Sequence, residues 1–155
     1  MTLRCFALNI TEIKKMKLEM YELEIAADVD KLSKVTEFVD SILEKNGCPI
    51  KVQMKIDLAL EELFVNIAHY AYKGTAGDAV ILAGPDPKTG ILRITFRDWG
   101  VPFDPLAKTD PDISLSVEER EIGGLGIFMA KKIMDTMDYK YENGQNVLTM
   151  TKKIG

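Results

Sequence analysis

The sequence predicts an α/β (α+β) two-layer sandwich, in which helices pack on one face of a mostly antiparallel sheet. Apolar residues recur at helical spacing in three segments, whereas other apolar segments are short and have the period of two that is typical of strands. Turn residues separate neighbouring strand segments. The 155 residues are 46% hydrophobic, which suits one domain with its own core.

One strand and two helices are predicted in the first half of the chain. Apolar side chains alternate with glutamates over residues 21–25, as in a half-buried strand. Asp28 then suits a helix cap, and an apolar stripe over residues 32–42 predicts a helix that ends at a Gly-Cys-Pro segment. The proline of that segment suits the start of a second helix, which runs to about Tyr72 and stops at Gly74.

The second half of the chain begins with strands. Residues 79–82 and 91–96 are predicted strands, joined by a Pro- and Gly-containing turn over residues 85–90. The spacing of apolar residues over 127–137 predicts a third helix. An Asn-Gly hairpin around residues 143–146 then leads into the last strand.

Two segments are less regular than the rest. Residues 101–122 are polar and aperiodic, and a loop of that length predicts a functional lid. Residues 1–16 form an N-terminal extension that either adds an edge strand or is a linker. We therefore place the domain proper at residues 17–155.

Composition excludes several classes of function. The net charge of −4 and the pI near 5.1 argue against a nucleic-acid surface, which needs clustered Lys and Arg. No apolar run approaches the ~20 residues that span a bilayer, and the N-terminus lacks a signal-type segment, so we expect a cytoplasmic protein that binds no membrane. Two unpatterned cysteines and one histidine predict neither a zinc site nor a disulfide.

The first of three motifs, E-E-L-F-V-N at residues 61–66, lies on the second predicted helix. Glu62 and Asn66 are four residues apart and therefore project from one face of that helix. The amide oxygen of Asn66 is a suitable hard ligand for Mg²⁺. A carboxylate one turn away can accept a proton from a group that attacks a phosphate.

The second motif, D-W-G-V-P-F-D-P at residues 98–105, follows a predicted strand. Gly100 removes a side chain from the path of a flat ligand, and Asp98 offers an acceptor. By itself, an ordinary Asp-x-Gly turn after a strand would be the better explanation of these two residues.

The third motif, G-G-L-G-I-F at residues 123–128, is a glycine-rich entry to a helix. The backbone of Gly123, Gly124, Leu125 and Gly126 can face an anion, and the helix dipole points its positive end at the same place. No Gly-Lys-Ser/Thr follows, so the segment is not a Walker loop.

In this order the three motifs resemble the nucleotide pocket of the GHKL (histidine-kinase-like) ATPases, in the branch of anti-sigma-factor serine/threonine-protein kinases that are RsbW-like or SpoIIAB-like. The likeness covers about residues 17–153 and implies a Bergerat-type ATP-binding fold with ATP and Mg²⁺ as cofactors. It implies that Glu62 is the general base, that Asn66 holds Mg²⁺, and that Asp98 and Gly100 receive adenine. The glycine-rich motif would then cradle the triphosphate.

The resemblance also implies a reaction and partners. It implies phosphoryl transfer to a serine of a STAS-domain antagonist, a sigma factor as the alternative partner, and a homodimer formed through the strand near residues 20–25. Arg120, in the predicted lid, is the candidate for a contact with the γ-phosphate, although a solvated Glu-Glu-Arg-Glu run is an equal explanation of it. The competing functions are a non-catalytic nucleotide-binding regulatory module and a simple ATPase.

Overall fold

The computed structural model describes residues 2–6, 20–107 and 124–155. In this part of the chain six strands form one antiparallel sheet, and three α-helices cover one face of it, which confirms the predicted two-layer sandwich. The strands are β1 (Thr2–Phe6), β2 (Met20–Ala26), β3 (Asp78–Asp86), β4 (Ile91–Asp98), β5 (Thr136–Glu142) and β6 (Gln145–Lys153). The helices are α1 (Leu32–Lys45), α2 (Ile50–Tyr70) and α3 (Gly124–Ile133), and a 3-10 turn (Val29–Lys31) precedes α1.

The sheet has the strand order β1-β2-β3-β4-β6-β5, so β4 lies at its centre. Asp98, the last residue of β4, is paired with Ala79 on β3 and with Asn146 on β6. This register brings an aspartate and an asparagine together at one end of the sheet. The candidate site is built at that end.

The core lies between the sheet and the helices, where every second strand residue meets the apolar stripes of α1 and α2. Phe64 of α2 and Phe96 of β4 are almost completely buried, as are Ile81 and Leu60. Burial of one such side chain contributes about 1.5–3 kcal/mol, and this packing holds α2 at a fixed distance from the centre of the sheet.

The helix boundaries differ from the predicted ones for identifiable reasons. Asp28 caps the 3-10 turn instead of α1, because its Oδ1 accepts a hydrogen bond from the Asp30 N–H at 2.9 Å. The second helix begins after Pro49 and ends at Tyr70, two residues before the predicted end. The third begins at Gly124, three residues earlier than predicted, so two glycines of the third motif lie inside its first turn.

The region after α3 contains one error of the sequence interpretation. Met137 was assigned to the third helix, but it lies in β5, where it and Tyr139 alternate inward from exposed neighbours. Met137 and Tyr139 are two residues apart, which is the period of a strand. Met137 also continues the helical spacing of the apolar residues before it, so the sequence pattern alone did not reveal the strand. The Asn-Gly hairpin is confirmed, since Asn143 and Gly144 have φ values of 55° and 76°.

The N-terminal residues of the described chain form an edge strand, because β1 pairs with β2 from Thr2 to Phe6. β2 is therefore paired on both sides, with β1 and β3. A homodimer through the strand at residues 20–25, which the resemblance implies, would therefore need contacts other than backbone pairing at a free β2 edge. None of the helices in the described part is long and apolar enough to cross a membrane.

Candidate nucleotide site

A cavity of about 40 Å³ lies between the second half of α2 and the ends of β4, β5 and β6, and it opens to solvent. Its polar lining is Asn66, Tyr70, Asp98, Tyr139 and Asn146. Its apolar lining is Leu63, Ile67, Ala71, Phe96, Val101, Phe103, Pro105 and Leu148.

Asp98 is the buried carboxylate of this cavity, with 5% of its surface exposed. Its Oδ1 accepts two hydrogen bonds, one from the Gly100 N–H at 2.9 Å and one from Asn146 Nδ2 at 2.9 Å. Both donors reach the same oxygen, and no described residue donates to Oδ2. The carboxylate is thus held in a fixed orientation while it keeps an acceptor for a ligand N–H.

Asn146 is a site residue that the sequence interpretation missed. Its Nδ2 donates to Asp98 and also to the carbonyl oxygen of Val101 at 2.9 Å, while its Oδ1 accepts from the Phe103 N–H at 3.1 Å. One buried side chain therefore joins β4, β6 and the loop after β4. The sequence held a usable signal, because Asn146 directly follows the tight hairpin that sets its register opposite Asp98.

Tyr139 supports Asn146 from the neighbouring strand β5. Its hydroxyl donates to Asn146 Oδ1 and accepts from the Phe103 N–H at 3.2 Å. Burial raises the pKa of Tyr139, and the nearby carboxylates of Asp104 and Asp98 add to this rise. The hydroxyl therefore keeps its proton at neutral pH and remains a donor.

The loop after β4 lies tightly against the end of α2. A Cβ built on Gly100 would lie 2.6 Å from the carbonyl carbon of Ala71, which is rigid backbone. The Val101 N–H donates to that same carbonyl at 2.8 Å, and the Tyr72 hydroxyl accepts from the Trp99 N–H at 2.9 Å. Glycine is thus required here for helix packing, a reason that differs from the ligand approach predicted from sequence.

Glu62 and Asn66 project from the same region of α2 but have different surroundings. Asn66 lines the cavity together with Asp98. Glu62 is half-buried at the contact between α2 and α3, where a Cβ built on Gly126 would lie 2.9 Å from the Glu62 Cδ. The fold therefore brings the first motif next to both of the others, with its carboxylate at the start of α3.

Some predicted residues lie outside the described part. Arg120, Gly123 and most of the predicted lid fall within residues 108–123, which the structure does not describe. Gly124 and Leu125 form the start of α3, so their backbone amides belong to its first turn. Free N–H groups of a first turn are suitable donors to an anion.

Metal binding at this site would depend on the ligand. Within residues 2–6, 20–107 and 124–155, no three His, Cys, Asp or Glu residues are grouped so that they could hold a metal ion by themselves. Mg²⁺ is commonly held by one or two protein oxygens together with substrate phosphates and waters. The amide oxygen of Asn66 fits that donor set.

The sheet has helices on one face and a cavity beside a buried aspartate, as in the class of ATP-binding domains that the three motifs predict. Comparison with known proteins identifies the family. The chain matches the model of the histidine kinase-like ATPase domain over residues 25–152 and belongs to that family. Serine-protein kinases RsbW of Bacillus cereus and Bacillus anthracis are each 29% identical to it over 142 residues, which is 89% of this chain and 87% of theirs. The resemblance to RsbW-like kinases is thereby confirmed.

A solved structure supports the fold independently. The RsbU and RsbW domains of a Mycobacterium tuberculosis protein match with a TM-score of 0.60 and 18% sequence identity. The match covers 86% of this chain and 32% of the other, so this chain spans about a third of that protein's length.

Proposed function

We propose that this chain is an ATP-dependent serine kinase of the anti-sigma-factor type, which phosphorylates a STAS-domain antagonist, binds a sigma factor, or does both. One observation carries the proposal. A single cavity brings the buried carboxylate of Asp98 together with the amide of Asn66, and Glu62 lies one turn away at the start of α3. The relatives are serine-protein kinases by name, which supports the same reaction.

Adenine recognition is the role proposed for Asp98. The amino group of adenine is an N–H donor that suits a carboxylate acceptor, whereas guanine has a carbonyl oxygen at that position. An unpaired polar group in a buried site is costly, so such a contact discriminates strongly. The apolar lining of the cavity suits the two faces of a flat base.

Phosphate binding is the role proposed for the start of α3, with Asn66 as a ligand of Mg²⁺. When bound, Mg²⁺ would neutralise the charge of the phosphates. Glu62 would accept the proton of the attacking serine hydroxyl as the serine oxygen bonds to the γ-phosphorus and ADP leaves. Arg120 would contact the γ-phosphate from a lid that differs between the ATP and ADP forms, and the partner would detect this difference.

The test is a phosphoryl-transfer assay with Mg·ATP and purified STAS-domain proteins from the same genome, read by intact-protein mass spectrometry. The parent should add one phosphate to a serine of one of them. Glu62→Gln should bind ATP normally and transfer phosphate roughly 10²-fold more slowly. Glu61→Gln is the matched control: the Glu61 carboxylate is exposed, so its replacement should leave the rate unchanged. Transfer by Glu62→Gln at the parental rate would exclude Glu62 as the base.

The alternative function is a non-catalytic regulatory module that binds nucleotide. Tight Mg·ATP binding by the parent, with no transfer to any STAS protein but different partner affinities in ATP and ADP, would favour this alternative. We also propose a homodimer, and sedimentation of the purified chain tests it directly.

A further inference from the structure

An apolar stripe runs along the outer face of the first half of α2. Ile50, Met54 and Leu58 are four residues apart, so each lies one turn from the next on one face of the helix. Their side chains are 64%, 65% and 40% exposed. The opposite face of the same segment, with Ile56 and Leu60, is completely buried in the core. Apolar residues therefore occupy both faces, although packing in the domain explains only one.

The stripe is separate from the candidate nucleotide site. The α2 residues that line the cavity begin at Leu63 and continue toward the end of the helix. Leu58, the stripe residue nearest to Leu63 along the chain, lies five residues before it, and this spacing directs the two side chains about 140° apart around the helix. Nucleotide binding therefore gives no reason for the exposed side chains.

One flank of the stripe is positively charged, whereas Asp57 and Glu61 lie along the other flank. Lys51 and Lys55 are exposed and lie beside Ile50 and Met54. Neither lysine forms an ion pair with a residue in the described ranges. The first turn of α2 contains no acidic residue, and Pro49 provides no side-chain cap, so the positive end of the helix dipole is not neutralised.

We propose that this stripe is a docking surface for an amphipathic helix of a partner protein, which carries acidic residues on the flank of its apolar stripe that faces Lys51 and Lys55. The three apolar side chains span about 12 Å, which suits two to three turns of a helix packed against α2. The acidic flank would meet the two lysines and the positive end of the helix dipole with opposite charge.

Charge disfavours a second copy of this chain as the occupant. In a two-fold pairing of α2 with α2 centred on Met54, Lys55 of one copy lies near Lys55 of the other. Like charges placed together oppose such an interface. An acidic flank placed beside the lysines meets no such repulsion.

The test uses two synthetic helical peptides and the whole ¹⁵N-labelled chain. Both peptides carry leucine at every fourth position, and one flank of the leucines is glutamate in the first peptide and lysine in the second. The glutamate peptide should shift the amide signals of residues 50–58 and bind at least ~10-fold more tightly, with an affinity that falls as salt rises. The double variant Lys51→Glu/Lys55→Glu should reverse the preference.

Two further variants separate docking from folding. Met54→Glu should weaken binding of the glutamate peptide at least ~10-fold. Ile91→Glu, at a 37% exposed position of β4, should leave that binding unchanged. Dispersed amide spectra and unchanged ATP affinity would show that both variants fold and that this surface acts independently of the nucleotide site. Equal affinity for both peptides would overturn the proposal. So would self-association of the parent that Met54→Glu abolishes, because it would identify a second copy as the occupant.

Discussion

Replacement of Asn146 by alanine should disable the cavity without altering any residue predicted from sequence. The side chain is 7% exposed and donates to Asp98 and to the carbonyl of Val101, both at 2.9 Å. A hydrogen bond to a charged group contributes about 1.5–3 kcal/mol and a neutral one about 1 kcal/mol. Water can replace part of the lost hydrogen bond to the Val101 carbonyl, since Val101 and Phe103 are exposed. We therefore expect the free energy of unfolding to fall by about 2–4 kcal/mol.

The effect on ligand binding follows from the same bond. Asn146→Ala leaves Asp98 with one donor fewer, and a loss of about 1.4 kcal/mol in its positioning corresponds to tenfold weaker ATP binding. Urea unfolding and titration calorimetry measure the two effects. Thr149→Ala is the control, because its hydroxyl bonds to Thr95 at 3.1 Å on the other face of β6. It should cost about 1 kcal/mol of stability with unchanged ATP affinity. A folded Asn146→Ala protein with parental ATP affinity would refute the proposed positioning.

Two other substitutions test separate parts of the structure. Asn66→Ala should remove most of the gain in ATP affinity that Mg²⁺ gives, as measured by calorimetry with Mg²⁺ and with EDTA; an equal gain in both proteins would exclude Asn66 as a ligand. Burial raises the pKa of Asp57 to about 8, with further contributions from a hydrogen bond to Asp40 and from the charges of Asp40 and Glu44. The folded state thus keeps a proton that the unfolded chain loses above about pH 4, so stability should fall between pH 4 and 8. Asp57→Asn should flatten that decline, as measured by melting temperatures at pH 5 and pH 8. A variant whose melting temperature changes between these pH values as much as that of the parent would contradict this reasoning.

The fold could be predicted largely from local patterns. The strand at residues 21–25 and the Asn-Gly hairpin were recognised because alternation and turn chemistry act over a few residues. The boundaries were less accurate where tertiary contacts decide them. Gly124 lies inside α3 because that helix packs on α2, and Met137 lies in β5 because β6 pairs with it.

The candidate site was predicted only in part, because its residues come from distant segments. Asp98, Asn66 and Glu62 were selected through the resemblance to a family, and the structure brings the first two into one cavity. Asn146 and Tyr139 were missed, since an asparagine after a hairpin and a tyrosine on an edge strand have no distinctive local pattern. Their role depends on the register that places β6 between β4 and β5.

The central claim is that the cavity beneath Asp98 receives adenine, and a calorimetric comparison of ATP with GTP in the presence of Mg²⁺ tests it most directly. The parent should bind ATP at least ~100-fold more tightly than GTP, because guanine has a carbonyl oxygen, not an N–H donor, where adenine has its amino group. Asp98→Asn should weaken ATP binding at least ~10-fold and reduce the difference in affinity between the two nucleotides, because the asparagine amide can present a donor to the adenine amino group. Equal affinities of the parent for ATP and GTP, or an Asp98→Asn protein that binds ATP as the parent does, would contradict the assignment.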